Sequence, residues 1–156
     1  MNLRLRTALP MCLAAAGILA APVPVFGPAA MPARAGERQE GGAGPVIAVP
    51  SGQPVTWLET LSEPPGPDGS VVRFRFLAPA IDRATGHVGF EQAAEDMQHL
   101  CDTFALPRIA AADPPPDRII ISLASRPVAF GVTNSEVTRY FEAYRPGKGS
   151  CHWEGF

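Results

Sequence analysis

The chain has 156 residues and a formal net charge of −2 at pH 7, with 13 Lys and Arg residues against 15 Asp and Glu residues. No basic run interrupts this balance, so nucleic acid is a poor candidate partner, because phosphate binding needs clustered positive charge. A chain of this length supports one domain with one hydrophobic core.

The first 35 residues have the layout of a secretory signal peptide. A short cationic start, MNLRLR, is followed by the uncharged run TALPMCLAAAGILAAPVPVF and then by small residues. The motif ARA, which ends at Ala35, predicts cleavage after Ala35, so the mature chain begins at Gly36 in the periplasm. Prolines interrupt the apolar run, which is short for crossing about 30 Å of hydrocarbon, so we expect no membrane span after cleavage. A retained membrane anchor is the alternative.

Two segments follow the signal peptide. Residues 36–48 open with GERQEGGAGP, which is rich in glycine and charge and lacks apolar periodicity, so we predict a flexible tether. Residues 49–156 alternate between strand-like and helix-like patterns and are predicted to form a single α+β domain.

The first two elements of this domain are predicted strands. Residues 55–62 alternate apolar and polar side chains, although Glu59 breaks the apolar face, and residues 71–79 alternate more regularly. The turn sequence PPGPDG lies between them and favours an antiparallel hairpin. Arg73 and Arg75 share one face of the second strand, where they either bind a small anionic ligand or only solubilise the sheet.

A helix is predicted next. Apolar residues recur with helical spacing along residues 90–104, and Pro107 is expected to lie just beyond the helix end. Asp96 and His99 are three residues apart, so their side chains are neighbours on the helix surface, where His99 is expected to face solvent. The pair is a weak candidate for an acid–base site, and a solvated helix face is the more ordinary interpretation.

Four further elements complete the chain. The patterns predict strands at 118–125 and 128–132, a second helix at 134–144 and a final strand at 150–156. The resulting order, ββαββαβ, predicts an α+β fold in which two helices pack on one face of a mainly antiparallel sheet. A barrel of the same strands, plugged by a helix, is the alternative.

The second helix is predicted from a cap and an apolar stripe. Asn134 or Ser135 is a suitable N-cap residue. Four apolar side chains then follow with helical spacing: Val137, Tyr140, Phe141 and Tyr144.

Several stretches of the chain resemble a known family. They are VPSGQPV, VRFRFLAPAI, FEQAAEDMQHLCDTFALPR, IIISLASRPVAFGV and YFEAYR…CHWEGF, which together extend over residues 49–156. They are similar to a family of small exported proteins from alphaproteobacteria, a domain of unknown function whose members often carry an automatic acetolactate synthase label. The resemblance implies an exported domain with a paired cysteine, and it brings no catalytic residues.

Acetolactate synthase activity is physically implausible for this chain. Such an enzyme binds thiamine diphosphate, which needs a site for magnesium-bound pyrophosphate and a glutamate for the cofactor ring across large α/β domains. A single domain the size of residues 49–156 is too small, and no Gly-rich phosphate loop is present. We therefore predict no cofactor.

Two cysteines remain after the predicted cleavage, Cys101 and Cys151, and each is close to a histidine. A zinc site is disfavoured because His99 and Cys101 point about 200° apart on a helix. The adjacent Cys151 and His152 point to opposite faces of a strand, which is also unsuitable for one metal ion. A nucleophilic cysteine is disfavoured because Cys101 lies on the apolar stripe, where the reactive thiolate form is poorly solvated.

A disulfide between Cys101 and Cys151 satisfies these constraints. Both positions face the predicted core, and the predicted compartment oxidises thiols. Closing the loop between them is expected to stabilise the fold by about 4 kcal/mol. The bond is also expected to turn Trp153, which alternates in phase with Cys151, toward the core.

The sequence assigns no catalytic, cofactor-binding or metal-binding residue, since no G-x-S-x-G, H-E-x-x-H or calcium-loop pattern occurs. The favoured hypothesis is a non-enzymatic module that binds a periplasmic protein or a small anionic ligand. The weak candidates for its binding surface are Arg73, Arg75, Asp96 and His99. The alternative is a small hydrolase with an unrecognised site near Asp96, His99 or Glu154.

Overall fold

The structure is a computed structural model that describes residues 38–40, 44–67 and 69–155. The predicted signal peptide, residues 1–35, lies outside the described residues, and its cleavage after Ala35 stays a prediction. In the part of the chain that the structure describes, no helix is both long enough and apolar enough to cross a membrane.

Six strands form one sheet, and their spatial order is the same as their order in the sequence. Neighbouring strands are antiparallel except for β3 and β4, which are parallel, so the sheet is mixed. The first strand lies within the segment predicted as a tether. The strands are β1 (Arg38–Glu40), β2 (Thr56–Gly66), β3 (Gly69–Leu77), β4 (Arg118–Ala124), β5 (Arg139–Pro146) and β6 (Cys151–Glu154).

A helical segment of 20 residues, which we call α1, connects β3 to β4. It consists of an α-helical part, Phe90–Leu100, a π-helical turn, Cys101–Ala105, and a last α-helical turn, Leu106–Ile109. Parallel strands cannot be joined by a tight hairpin and need such a crossover. A short 3₁₀ turn, Pro79–Ile81, precedes α1.

The predicted order ββαββαβ is wrong, because the described residues contain one helix of 20 residues rather than two helices. Residues 134–138 belong to a loop, and the rest of the predicted second helix lies in β5. The aromatic and β-branched side chains of this stretch fit both a helical stripe and a strand, and these side chains favour strands. Residues 128–132, predicted as a strand, belong to the same loop, residues 125–138, which we call the β4–β5 loop.

The prediction that Pro107 lies beyond the helix is also wrong. Within the π-helical turn, the backbone N–H of Leu106 donates to the carbonyl oxygen of Cys101, one residue further back than in an α-helix. Pro107 then lies in the first turn of the last α-helical part, where its missing N–H costs little. The wider turn therefore lets the helix continue through a proline.

The core lies between α1 and the sheet face that it covers. Phe104 of α1 contacts Phe74 and Phe76 of β3 edge-on, with ring centroids 6.1 and 5.2 Å apart. The central strand β4 contributes Ile119, Ile121 and Leu123, which are fully buried. Burial of each such side chain stabilises the fold by about 1.5–3 kcal/mol, which holds α1 on this face. The opposite face of the sheet, which we call the outer face, is covered by no α-helix among the described residues.

A bulge in β2 explains why Glu59 interrupts the apolar alternation. The strand register shifts between Trp57 and Glu59, so the two residues face opposite sides of the sheet despite their spacing of two. Trp57 packs against the core and contacts the ring of Phe104 at 6.0 Å. Glu59 is turned to the outer face, where it lies opposite Arg75.

The predicted disulfide is confirmed: Cys101 and Cys151 are bonded, with their Cα atoms 6.1 Å apart. It joins the start of the π-helical turn to the edge strand β6. Asp102 and Gln98 reinforce this junction, since Asp102 accepts a hydrogen bond from the N–H of Cys151 at 2.7 Å and Gln98 donates to the carbonyl oxygen of Cys151 at 3.1 Å.

The expectation that the disulfide turns Trp153 inward is wrong, because Trp153 is 61% exposed. It lies on β6, at the edge of the sheet, and its indole N–H donates to the carboxylate of Glu142 at 2.6 Å. A side chain can share a sheet face with core residues and still be exposed where the helix no longer covers that face.

Candidate functional site

The outer face of the sheet carries a pocket of about 490 Å³, which we call the outer-face pocket. Its polar and charged lining comes from three strands and its apolar lining comes largely from the β4–β5 loop. The lining residues are Arg73, Arg75, Ser122, Arg139 and Phe141 on the strands, with Phe130 and residues 131–133 on the loop.

The strand register brings these side chains together. Arg75 of β3 lies beside Ser122 of β4, which in turn lies beside Phe141 of β5. Arg73 and Arg139 lie two residues away along their strands, so they share the same face. Residues that are far apart in the sequence thus form one patch across three strands.

Arg75 is a structural part of this pocket. It is 6% exposed and forms an ion pair with Glu59 on β2. Its Nη2 atom also donates to the carbonyl oxygen of Val128 in the β4–β5 loop at 2.7 Å. Arg75 therefore fastens the loop to the sheet, and a ligand would have to compete with these buried contacts to bind it.

Phe130 lies over the two arginines of β3. The guanidinium carbons of Arg73 and Arg75 are 5.4 and 5.8 Å from the centre of its ring, which is within the range of a cation–π interaction. Phe130 is nevertheless 46% exposed. Its ring is thus held in place on one side and remains accessible on another.

The remaining arginines are more accessible than Arg75. Arg73 lies 3.4 Å from the carboxylate of Glu63, a partly exposed pair of modest strength. Arg139 is exposed, and its Nη1 atom donates to the carbonyl oxygen of Val132 at 3.0 Å. Among the described residues, Arg139 has no carboxylate partner, so its charge is the one most available to an anion.

Internal hydrogen bonds fix the conformation of the β4–β5 loop. The N–H of Glu136 donates to the side chain of Asn134 at 2.9 Å, and Arg126 donates to the carbonyl oxygen of Glu136 at 2.9 Å. Gly131 has φ +81°, a conformation that favours glycine, and it follows Phe130 directly. The loop is therefore ordered by its own sequence as well as by Arg75.

Asp96 and His99, the other predicted site residues, lie on α1 and do not join this pocket. Asp96 is fully buried, and it accepts hydrogen bonds from the N–H and hydroxyl groups of Ser51 and from the side chain of Gln53. His99 is half-buried, and no hydrogen bond links it to Asp96 within the described parts of the chain. Asp96 thus acts as a structural link rather than as half of an acid–base pair.

Glu154 is likewise engaged. Its carboxylate accepts hydrogen bonds from Arg118 at 2.8 Å and from Arg145 at 2.5 Å. The hydrogen bond from Arg118 is the main cause that holds the pKa of Glu154 below its ordinary value of 4.5. Across residues 44–67 and 69–155, no group of three His, Cys, Asp or Glu side chains is arranged to hold a metal ion.

The comparisons with known proteins establish the family. A model described as a family of unknown function (DUF6497) matches residues 25–156. The chain belongs to this family. The comparison with curated proteins and the comparison with solved structures each found no match.

The sequence indicated only part of the site of this DUF6497 protein. The alternation along β3 predicts Arg73 and Arg75, but the sequence patterns predict a helix for Arg139 and Phe141 and a strand for Phe130. The signal that was available is the alternation in RYFEAYRP, where Arg139 and Phe141 face one way and Tyr140 the other. Phe130 had no such signal, because it lies in a loop.

Proposed function

We propose that this DUF6497 protein is an exported periplasmic module that binds a small anionic ligand in the outer-face pocket and performs no chemistry on it. The observation that carries the proposal is the exposed guanidinium of Arg139 at the pocket, which has no carboxylate partner among the described residues. An anion bound there would gain a charge-assisted hydrogen bond without displacing a competing carboxylate.

The distribution of charge supports this proposal. In the part of the chain whose side chains the structure describes, five arginines lie on the outer face together with three carboxylates, those of Glu59, Glu63 and Glu154, while α1 exposes acidic side chains on the opposite side of the molecule. The arginines outnumber the carboxylates on this face, and this excess of positive charge favours anions there even though the whole chain is acidic. The five are Arg73, Arg75, Arg118, Arg139 and Arg145.

The disulfide supports the proposed compartment. The bond between Cys101 and Cys151 is buried and joins the core to the edge of the sheet. Such bonds persist in oxidising environments such as the periplasm, which is where the signal-like start of the sequence would direct the chain.

Two candidate residues of the hydrolase alternative, Asp96 and Glu154, are engaged in structural contacts. Asp96 is buried and holds Ser51 and Gln53, and Glu154 is held by two arginines. A general acid or base must reach a substrate proton. Asp96 is enclosed in the core, and Glu154 lines a pocket but uses both carboxylate oxygens to accept hydrogen bonds from Arg118 and Arg145.

Thermal unfolding in the presence of small anions tests the proposal. The protein, purified after expression of the full chain, is heated with benzoate, succinate or inorganic phosphate, because a ligand that binds the folded state raises its unfolding midpoint. We expect at least one anion to raise the midpoint of the wild type. The increase should be retained in Arg83→Gln, which changes an exposed arginine outside the pocket, and lost in Arg139→Gln. No increase with any of the three anions, or the same increase in all three proteins, would overturn the proposal.

A further inference from the structure

The geometry points to a specific ligand class, an aromatic monocarboxylate, for the outer-face pocket. This inference rests on the proposed function and makes it more specific. The ligand would place its carboxylate at Arg139 and its ring between Phe130 and Phe141. Three properties of the pocket lead to this class: its charge, its apolar walls and its size.

The charge of the pocket suits one negative charge. Arg75 is paired with Glu59, and Arg73 is paired more loosely with Glu63. Arg139 is the lining arginine without a carboxylate partner among the described residues. A single carboxylate can form two parallel hydrogen bonds with the guanidinium group of Arg139, whereas a second carboxylate would meet arginines whose charges are already paired.

The apolar walls favour an aromatic body. Phe130, Val132 and Phe141 all line the pocket and are 46%, 50% and 53% exposed. Large apolar side chains are seldom exposed together without a reason, and an aromatic ligand would cover all three. Two phenylalanine rings also allow edge-to-face or offset contacts with a ligand ring.

The pocket is too large for a bare inorganic ion to fill. A volume of about 490 Å³ is within the range of sites that hold small organic molecules. A phosphate or sulfate ion would fill a small part of it and leave the apolar walls in water. The hydroxyl groups of Ser122 and Thr133 add hydrogen-bond donors beside the walls, which suits a polar group at one end of an organic ligand.

Calorimetry with four related probes tests the inference. Benzoate carries one charge and a ring, acetate has the charge without the ring, benzamide has the ring without the charge, and phthalate has a ring with two charges. We expect benzoate to bind about tenfold or more tightly than each of the others, because only benzoate matches both the ring and the single charge.

Two variants and a matched control assign the contacts. Phe141→Ala is expected to weaken the binding of benzoate about tenfold and to leave the binding of acetate unchanged. Arg139→Gln is expected to weaken the binding of both. Phe90→Ala changes a phenylalanine of similar exposure on α1, outside the pocket, and is expected to leave benzoate binding unchanged. Circular dichroism before titration confirms that each variant is folded.

The outcomes separate this inference from the proposed function. If acetate or phthalate binds as tightly as benzoate, and this binding depends on Arg139, the assignment of an aromatic monocarboxylate is wrong. The proposed function as an anion-binding module is then still supported. If benzamide binds as tightly as benzoate, the carboxylate contributes nothing to binding, and both proposals are wrong. If no probe binds and none of the three test anions stabilises the protein, both proposals are likewise wrong.

Discussion

The carboxylate of Asp96 accepts a hydrogen bond of 2.6 Å from the side-chain amide of Gln53, and both side chains are almost completely buried. Ser51 donates two further hydrogen bonds to the same carboxylate, from its N–H group at 2.9 Å and from its hydroxyl at 2.6 Å. Asp96 lies in α1, whereas Ser51 and Gln53 precede β2. One carboxylate thus fixes the segment that leads into the sheet against the helix.

Asp96→Ala is expected to destabilise the fold by about 3 kcal/mol, because it leaves the buried amide of Gln53 and the half-buried donors of Ser51 without their acceptor. Urea denaturation at neutral pH measures the change. Glu95→Ala, which alters the exposed neighbour, is the control and is expected to change the stability by no more than about 0.5 kcal/mol. Equal denaturation midpoints for the two variants would show that the buried contacts are not the source of stability.

Removal of the disulfide is expected to lower the stability by about 4 kcal/mol, since the bond closes a loop with a sequence separation of 50. Thermal midpoints of the oxidised protein and of the Cys101→Ser, Cys151→Ser double variant give the comparison. Because Trp153 is already exposed, its fluorescence maximum is expected to change little on reduction. Two titratable thiols in the unfolded, unreduced protein would contradict the bond.

Glu154→Gln is expected to lower the urea midpoint at pH 7 and to have little effect in acid. The folded-state pKa of Glu154 is lowered, so its carboxylate stabilises the fold above the unfolded-state pKa and loses this contribution as pH falls through the folded-state value. The difference from wild type should therefore shrink progressively as the pH falls below the ordinary pKa of a glutamate. Glu136→Gln, at an exposed loop residue, serves as the control. A difference that persists in acid would mean that the charge of Glu154 is not responsible.

Gly86→Ala is expected to destabilise the protein by about 2 kcal/mol, because an added Cβ would collide with the backbone oxygen atoms of Ala80 and Asp82. Backbone atoms cannot move aside as a flexible side chain can. Gly66→Ala is the matched control, since its added methyl group meets open space. Chemical denaturation of both variants measures the effect, and similar stability for the two would contradict the close approach.

The purified periplasmic protein is expected to begin at Gly36, because the start MNLRLR, the apolar run and the motif ARA predict export and cleavage. Intact-mass spectrometry of protein from a periplasmic extract provides the measurement. Recovery of the chain with Met1 in a membrane fraction would instead support a retained anchor.

The strands and helices that were predicted correctly are those whose apolar spacing fits one kind of secondary structure. Residues 71–79 alternate strictly, and β3 was found there; the long apolar stripe from Phe90 likewise predicted α1. The prediction for the stretch around Tyr140 failed because its four apolar residues have helical spacing, whereas the strand found there is set by long-range pairing with β4. The π-helical turn depends on a local change in hydrogen bonding that has no simple pattern in the sequence.

The pocket was harder to predict than the fold. Arg73 and Arg75 are adjacent on one strand face, so their proximity is visible in the sequence. Arg139 reaches them only because β4 lies between β3 and β5 with a particular register. Phe130 reaches them through a loop held by Arg75, a contact between residues that are remote in the sequence. Long-range pairing of this kind is set by tertiary structure rather than by local pattern.

The sequential strand order has a consequence for folding kinetics. The β2–β3 and β5–β6 pairs join neighbouring segments through short turns, so their formation requires little loop closure. The β3–β4 pair is different, because it forms only after the intervening chain, including all of α1, has closed. We therefore expect the pairing of β3 with β4 to be the slow step of folding. Truncation of Ile121 on β4 should then slow refolding, whereas changes in β6 should mainly speed unfolding.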